Sequence, residues 1–487
     1  MPLANTRLRK NENPEVADFL AQLTISAKKK AAIALKVRTA PQQQPSEIEL
    51  KVLDSIQIQG AKLIQVNKSD LADLRFSYPG IRIIPEKFYE IALCKREKIK
   101  IKTKQLRPLI TAAVKVTDDK DKPLPGINVV AFTDYAVGKG ASGLTDSNGL
   151  IVLKLNSTAV ERVYVYADHS YWGYFKKNVS LKEEFVIKLQ PITSNYIDGL
   201  RHFFDTSKWP RVSQKIRVGI IDTGIGPHRD LQVAGGKNLV NGENTADYQD
   251  NGEGHGTHVA GIVGAYGNIC GMAAGIELMS YRVFPKGGGA SNFNIMKALN
   301  QAIADKCHLI NMSLGEADSD EGLISYINEA YRAGIICFAA NGNDNRDVVS
   351  FPASYSLCIA VSAMGTKKTF PDHTVQSTYV RLPYGKNKND FVAEFSNVGP
   401  ETDLIAPGVG IISTYPGDLL AVMDGTSMAC PIATGLAARL LASRPDIIDL
   451  PGTQARADEM IKFLATNIKS MGFGVTFEGK GMLFNNQ

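Results

Sequence analysis

An α/β fold, a parallel sheet with helices on both faces, is what the second half of this sequence predicts, preceded by a small α+β domain and a β-sandwich domain. Three observations carry the prediction. From about residue 198, continuous apolar runs (IRVGIID, ELMSYRVF, HLINMSL, IICFAA, LCIAVSAM) alternate with helical stretches (NIMKALNQAIAD, GLISYINEAYRAG). Strands without a polar face are buried on both sides, and intervening helices make them parallel. Between 107 and 192 the pattern is almost purely β, with strict alternation in RVYVYAD and EEFVIKLQP and turns about every 8–12 residues. Before residue 100, strand-like runs mix with short helical ones.

Taken in order, residues 1–30 form a polar segment, helical or frayed, ending in three lysines. Residues 31–100 read as the α+β domain. AAIALKVRT is a strand and AKLIQV a second one. KSDLADLRFSYPG is a short helix with Ser69 as N-cap and Gly80 near its end, and GIRIIPEKFYEIAL closes with an alternating strand. KREKIKIKTKQLRP is a basic connector or a solvated edge strand. Residues 107–192 form the sandwich: strand, turn, strand in ITAAVKVTDDKDKPLPGINVVAFTD, then a hairpin over GLTDSNGLIVLKL with a Ser-Asn-Gly turn. Residues 198–487 form the α/β domain.

The bulk properties bound the rest. A chain of 487 residues suggests about two to four domains. Its 44% hydrophobic and 21% charged residues describe an ordinary globular protein. A net charge of +6 is too mild to imply nucleic acid. That charge is uneven: residues 1–106 carry 20 Lys and Arg against 11 Asp and Glu, the remainder 35 against 38. The six cysteines are scattered through apolar runs, as buried free thiols are. MPLANTRLRKNENPEV has no apolar signal region, and no run approaches the roughly 18 apolar residues of a membrane span. The expectation is a cytoplasmic protein, with export by another route left open, and with neither nucleic acid nor membrane as partner.

In a parallel sheet, reactive groups gather at the C-terminal ends of strands. Asp222 stands there, where IRVGIID meets a Gly-rich turn; it is a turn-forming residue or a functional acid. DTG is also half of an aspartic-protease dyad, but no second DTG exists to share the proton. His255 and His258, in GEGHGTHVAGIVGA, are three apart, yet HExxH spacing and a supporting Cys or Glu cluster are missing, which argues against zinc. Asn343, at the end of IICFAANGN, is a turn residue or an amide donor for an oxyanion. Ser427 in DGTSMACP is a helix cap or a nucleophile at a helix start, where the dipole favours developing negative charge.

Together, in the order Asp222, His255, Asn343, Ser427, these residues resemble the subtilisin-like (S8) serine proteases, whose triad runs Asp, His, Ser. IIDTGIG is similar to that family's Asp motif, HGTHVAG to its His motif and AANGN to its oxyanion segment. NMSLG is similar to its cleft strand, VVSFPASYSLCIAVSA to a wall of its specificity pocket, and FSNVGPETDLIAPGVGIIST with DGTSMACP to its Ser motif. The resemblance covers about 215–440. It implies a serine endopeptidase in which Ser427 attacks, His255 relays the proton, Asp222 orients the imidazole, and Asn343 with the Ser427 N–H binds the oxyanion. Ser313, Leu314, Gly315, Ala340, Asn341 and Gly342 would bind a protein or peptide substrate. No cofactor is implied except a structural calcium near Asp230, although GAYGNICGMAAG is short for the usual calcium loop. Ile432, where the family often has His, reads as packing.

Upstream, AKLIQVNKSDLADLRFSYPGIRIIPEKFYEIA resembles the C-terminal half of the subtilisin propeptide, a ferredoxin-like inhibitor. PLPGINVVAF…GLTDSNGLIVLKL resembles the carboxypeptidase regulatory-like, transthyretin-like sandwich. The first resemblance implies an intramolecular N-terminal inhibitory domain, its positive charge facing Glu316, Asp318, Asp320 and Glu321 or each cluster simply solvated. A catalytically silent peptide-binding scaffold and a non-protease hydrolase are the competing readings.

Overall fold

The computed structural model describes residues 50–485 apart from 58–59, 79, 103–108 and 183. The polar segment 1–30 and the AAIALKVRT strand lie outside the described residues.

The apolar runs after residue 215 assemble side by side into a nine-stranded sheet. Arg217–Asp222 lies between Glu277–Arg282 and Leu309–Met312, all parallel, and Ile336–Ala340 and Cys358–Thr366 extend the sheet in the same sense. Strand residues alternate between two cores, which is why the sequence shows no polar face. Ile336, Phe338 and Ala340 join the helices His255–Gly264 and Thr426–Ala442 on one side; Cys337 and Ala339 join Asn292–Ala304 and Glu321–Arg332 on the other. Burying a side chain such as Phe338 is worth about 1.5–3 kcal/mol. Three parts were not anticipated: the Gly-rich parallel edge strand Val233–Asn238, the parallel strand Leu404–Pro407, and antiparallel strands Asp390–Ala393 and Val380–Tyr384 closing the far edge.

The middle region forms two sheets around one core of Val, Leu and Ile side chains. The GLTDSNG turn does not close a hairpin. Lys139–Leu144 and Leu150–Leu155 belong to different sheets, so the turn carries the chain across the core. Ile101–Lys102 of the basic connector is the edge strand of the five-stranded sheet. The outer face of that sheet carries Phe132, Tyr164, Tyr166 and Phe175, which pack on Val375 and Tyr379 of the α/β unit. Two backbone bonds fasten the contact, Phe175 N–H to His373 O (2.7 Å) and Ser170 N–H to Leu420 O (2.8 Å).

Further upstream, Leu50–Ser55 and Lys62–Val66 form an antiparallel pair, packed on Leu74 and Tyr78 around the helix Leu71–Ser77. Asp70, not Ser69, is the helix N-cap; Ser69 lies in a preceding 3₁₀ turn and bonds the Asp70 carboxylate at 2.9 Å. The pair rests on the two helices of the outer layer, with Asp54 ion-paired to Lys297 (2.7 Å) and the Ala61 N–H donating to the Tyr326 hydroxyl (3.2 Å). The remaining strand, Phe88–Ile91, pairs with neither of these strands. It crosses to the α/β unit and lies between Ala290–Ser291 and Leu314–Gly315, antiparallel to both.

Candidate active site

Strand tips and helix starts meet beneath that inserted strand. Asp222 ends its strand almost fully buried, and His255 is the first residue of its helix. Asp222 Oδ1 lies 2.7 Å from His255 Nδ1 and also accepts the Thr223 N–H at 2.7 Å. A carboxylate on Nδ1 puts the proton there and leaves Nε2 as the acceptor. Nε2 is buried and has no partner. Gly256 permits this approach, since a Cβ there would meet Gly224 O at 2.2 Å and Asp222 Oδ1 at 3.1 Å. Asp250, which sequence reasoning missed, shapes the loop before His255: its carboxylate accepts the N–H groups of Gly252 and Gly254 and the Thr257 hydroxyl. Its signal was an Asx turn in DNGEG.

Ser427 is the second residue of its helix, with Gly425 at the N-cap. Its hydroxyl donates to Ser313 O at 3.0 Å, so the bond to His255 is not made in this state. Its N–H donates to the carbonyl of Ala92 at 3.1 Å. Asn343 completes the arrangement. Thr426 N–H and hydroxyl both bond its Oδ1 (2.8 and 3.1 Å), which fixes the amide and leaves Nδ2 buried without a partner. Thr426 was also missed; only its place beside Ser427 marks it.

The neighbours of Ala92 lie along the groove as a bound peptide would. Ala92 N–H donates to Ser313 O (3.1 Å), Ile91 and Glu90 pair with Leu314 and Gly315, and Cys94 N–H donates to Asp424 O (2.9 Å). A Cβ at Gly425 (φ 154°) would meet Ala92 O at 2.8 Å, which answers why glycine precedes Thr-Ser here. Tyr89 is wholly buried in the outer core, its ring 6.4 Å from that of Phe351, and burial pushes its hydroxyl pKa up, with Asp320 and Glu316 adding to the effect. A cavity of about 340 Å³ opens beside Ala92, lined by Gly342, Asn343, Ser350, Glu316 and Asp344 among others.

Of the expected substrate residues, Ser313, Leu314, Gly315 and Gly342 therefore border the groove. Ala340 and Asn341 do not: Ala340 is in the core, and Asn341 spends its amide on Asn397 O and Thr402. Arg82 pairs with Glu321 (3.4 Å), both exposed, and the half-buried Lys87 with the exposed Asp318 (3.6 Å) across the interface, surface contacts worth about 0–1 kcal/mol each. Asp320 instead caps its helix and accepts from Asn292.

The two histidines do not share a metal. His258 Nε2 faces Ile411 O and Ala421 O (3.1 and 3.2 Å), and burial pushes its pKa down to about 3, the nearby His255 adding to the effect. Asp230 Oδ2 accepts the Ile269 N–H (3.2 Å), and among the described residues no group of three His, Cys, Asp or Glu gathers. All six cysteines are free, four of them buried. Among the described residues no helix is long and apolar enough to cross a membrane.

A buried acid–imidazole pair at the tip of a strand of a largely parallel sheet, and a serine at a helix start whose N–H meets a peptide carbonyl, are the groups of a serine-hydrolase site. Comparison with known proteins narrows this. The subtilase (peptidase S8) family profile matches residues 213–474. A thermostable alkaline protease of Halalkalibacterium halodurans is 36% identical over 232 residues, 47% of this chain and 57% of that protease. Subtilisin DY of Bacillus licheniformis is 35% identical over 276 residues, 55% of this chain and 88% of its own length. Subtilisin Savinase of Lederbergia lenta is 35% identical over 233 residues, 47% of this chain and 77% of its own. The chain belongs to the subtilase family.

Proposed function

We propose that this chain is a serine endopeptidase held shut by its own N-terminal region, with the Ala92–Leu93 peptide presented as a substrate bond. The observation that carries the reading is the Ala92 carbonyl, which accepts the Ser427 N–H at 3.1 Å while Asn343 Nδ2 and His255 Nε2 stand buried and unpartnered. Unpaired buried polar groups are costly unless a reacting partner satisfies them.

In this mechanism Ser427 turns from Ser313 O, His255 Nε2 takes its proton, and Oγ attacks the carbonyl carbon. Asp222 stabilises the imidazolium without being protonated. The Ser427 N–H and Asn343 Nδ2 bind the oxyanion. His255 returns the proton to the leaving amine, and water then hydrolyses the acyl-enzyme. Inhibition follows because residues 88–94 fill both sides of the cleft, so a peptide from outside must displace them.

A fluorophosphonate probe and a fluorogenic peptide test the reading. The parent is expected to be labelled slowly and to hydrolyse the peptide slowly, both in a Ser427-dependent manner. Equal labelling of Ser427→Ala refutes the mechanism, and ester turnover without peptide turnover favours the other hydrolase reading.

A further inference from the structure

Breaking the Ala92–Leu93 bond creates an amine at Leu93, and the fold ties down the chain that follows it. From Cys94 onward the chain is fastened at successive residues. Cys94 N–H donates to Asp424 O at 2.9 Å. Arg96 pairs with Asp168 at 2.7 Å, its guanidinium 5.3 Å from the centre of the Tyr166 ring. Glu97 N–H donates to the Tyr166 hydroxyl (3.1 Å), and the Glu97 carboxylate accepts the Tyr135 hydroxyl (2.6 Å). Lys100 and Ile101 both donate to Gly138 O, and Ile101–Lys102 completes a strand pair. Apart from Asp424, these partners belong to the middle β unit, which is itself seated on the α/β unit through Val375 and Tyr379. On the acyl side, residues 88–91 are strand-paired on both edges. Neither anchor depends on the bond between them.

We propose that Tyr166 and Asp168 are positioning residues that hold the Leu93 amine beside the acyl-enzyme, so that it remakes the Ala92–Leu93 bond faster than water hydrolyses it. The β unit thus keeps the protease closed even after its own chain has been attacked. This rests on the endopeptidase reading above. The step balances without a co-reactant: the Leu93 nitrogen attacks the Ala92 carbonyl carbon, the C–N bond forms, the C–Oγ bond to Ser427 breaks, and His255 carries the amine proton to Oγ. A group held in line by its own fold acts at an effective molarity on the order of 10⁵ M or more, far above what free water supplies at an occupied site.

The test follows full-length chains by intact mass, with and without leucinamide as an external amine. The parent is expected to divide slowly into 1–92 and 93–487. In Tyr166→Phe/Asp168→Asn the rate rises about tenfold or more, as loss of the Glu97 N–H bond to the Tyr166 hydroxyl and weakening of the Arg96–Asp168 pair give. This variant yields fragment 1–92 capped with leucinamide and the parent does not, because loosening the clamp lets Leu93 leave its place; loss of folding would not add a cap. Arg96→Gln, a change at an exposed side chain, moves the rate the same way by a smaller factor. Division at the parent's rate in the variants, or equal capping in the parent, overturns the proposal. If Ser427→Ala divides like the parent, or no chain is labelled by fluorophosphonate, the endopeptidase reading has failed and this proposal with it; labelled chains with equal rates fail the clamp alone.

Discussion

Asn343 has one end of its amide tied by Thr426 and the other free and buried, an arrangement that serves no packing purpose. Asn343→Leu is expected to lower kcat for a peptide by about 100- to 1,000-fold with KM little changed, a figure carried over from subtilisin, a relative, rather than from this geometry. A rise in KM alone, with kcat unchanged, would instead make Asn343 a ground-state contact. The places of Asp222, His255 and Ser427 at a strand tip and at helix starts were legible in the sequence, because each meets a buried run with a polar group. Asp250 and Thr426 were not, because their work is hydrogen bonding to loops that only the fold brings near. Ala340 and Asn341 were misread for the opposite reason. A one-dimensional motif names neighbours of a functional residue without saying which face each turns to the groove.

At the level of elements, Phe88–Ile91 teaches most. Alternation in IRIIPEKFYEIAL reveals a strand but not which edge it will pair with, so it was assigned to the small α+β domain. Pairing with Ala290–Ser291 and Leu314–Gly315 was invisible, since register is set by the partner's geometry. The GLTDSNG turn failed in the same way: its residues specify a reversal, not whether the flanking strands share a sheet. Tyr89 is the inserted strand's main apolar anchor. Tyr89→Ala removes on the order of 3–5 kcal/mol of packing, and is expected to raise hydrolysis of a peptide offered in trans by about tenfold or more. Unchanged turnover would place the barrier to substrate entry elsewhere, on the Leu93 side.

The fold class was readable at the scale of the molecule because buried parallel strands must be apolar on both faces; how the β unit sits was not, because its contact relies on a few aromatics that look like ordinary outward-facing strand residues. Acid should unfold this molecule. Burial holds His258 near 3, and burial with Arg456 and Arg217 nearby holds His308 near 4, both below the unfolded value of about 6.5. Between those limits the unfolded chain binds protons that the folded chain refuses, so their contribution is present above about 6.5 and is lost as pH falls. Each fully titrating histidine removes about 1.4 kcal/mol per pH unit. Asp424 opposes them: burial raises its pKa to about 6, so acid relieves its cost between about 6 and 3.8. Asp390 and Asp403, also raised by burial, oppose them in the same sense; the two histidines carry the larger shifts, so the melting temperature should fall from pH 7 to pH 4.5, less steeply in His258→Gln. A flat or rising profile contradicts this balance.

The central claim is that one peptide carbonyl of this chain, that of Ala92, occupies the position where Ser427 reacts. Mapping by mass spectrometry the ends formed on prolonged incubation tests it most directly. The expected result is division between Ala92 and Leu93 in the parent and none in Ser427→Ala; division at another bond, or an equal yield from the alanine variant, would contradict it.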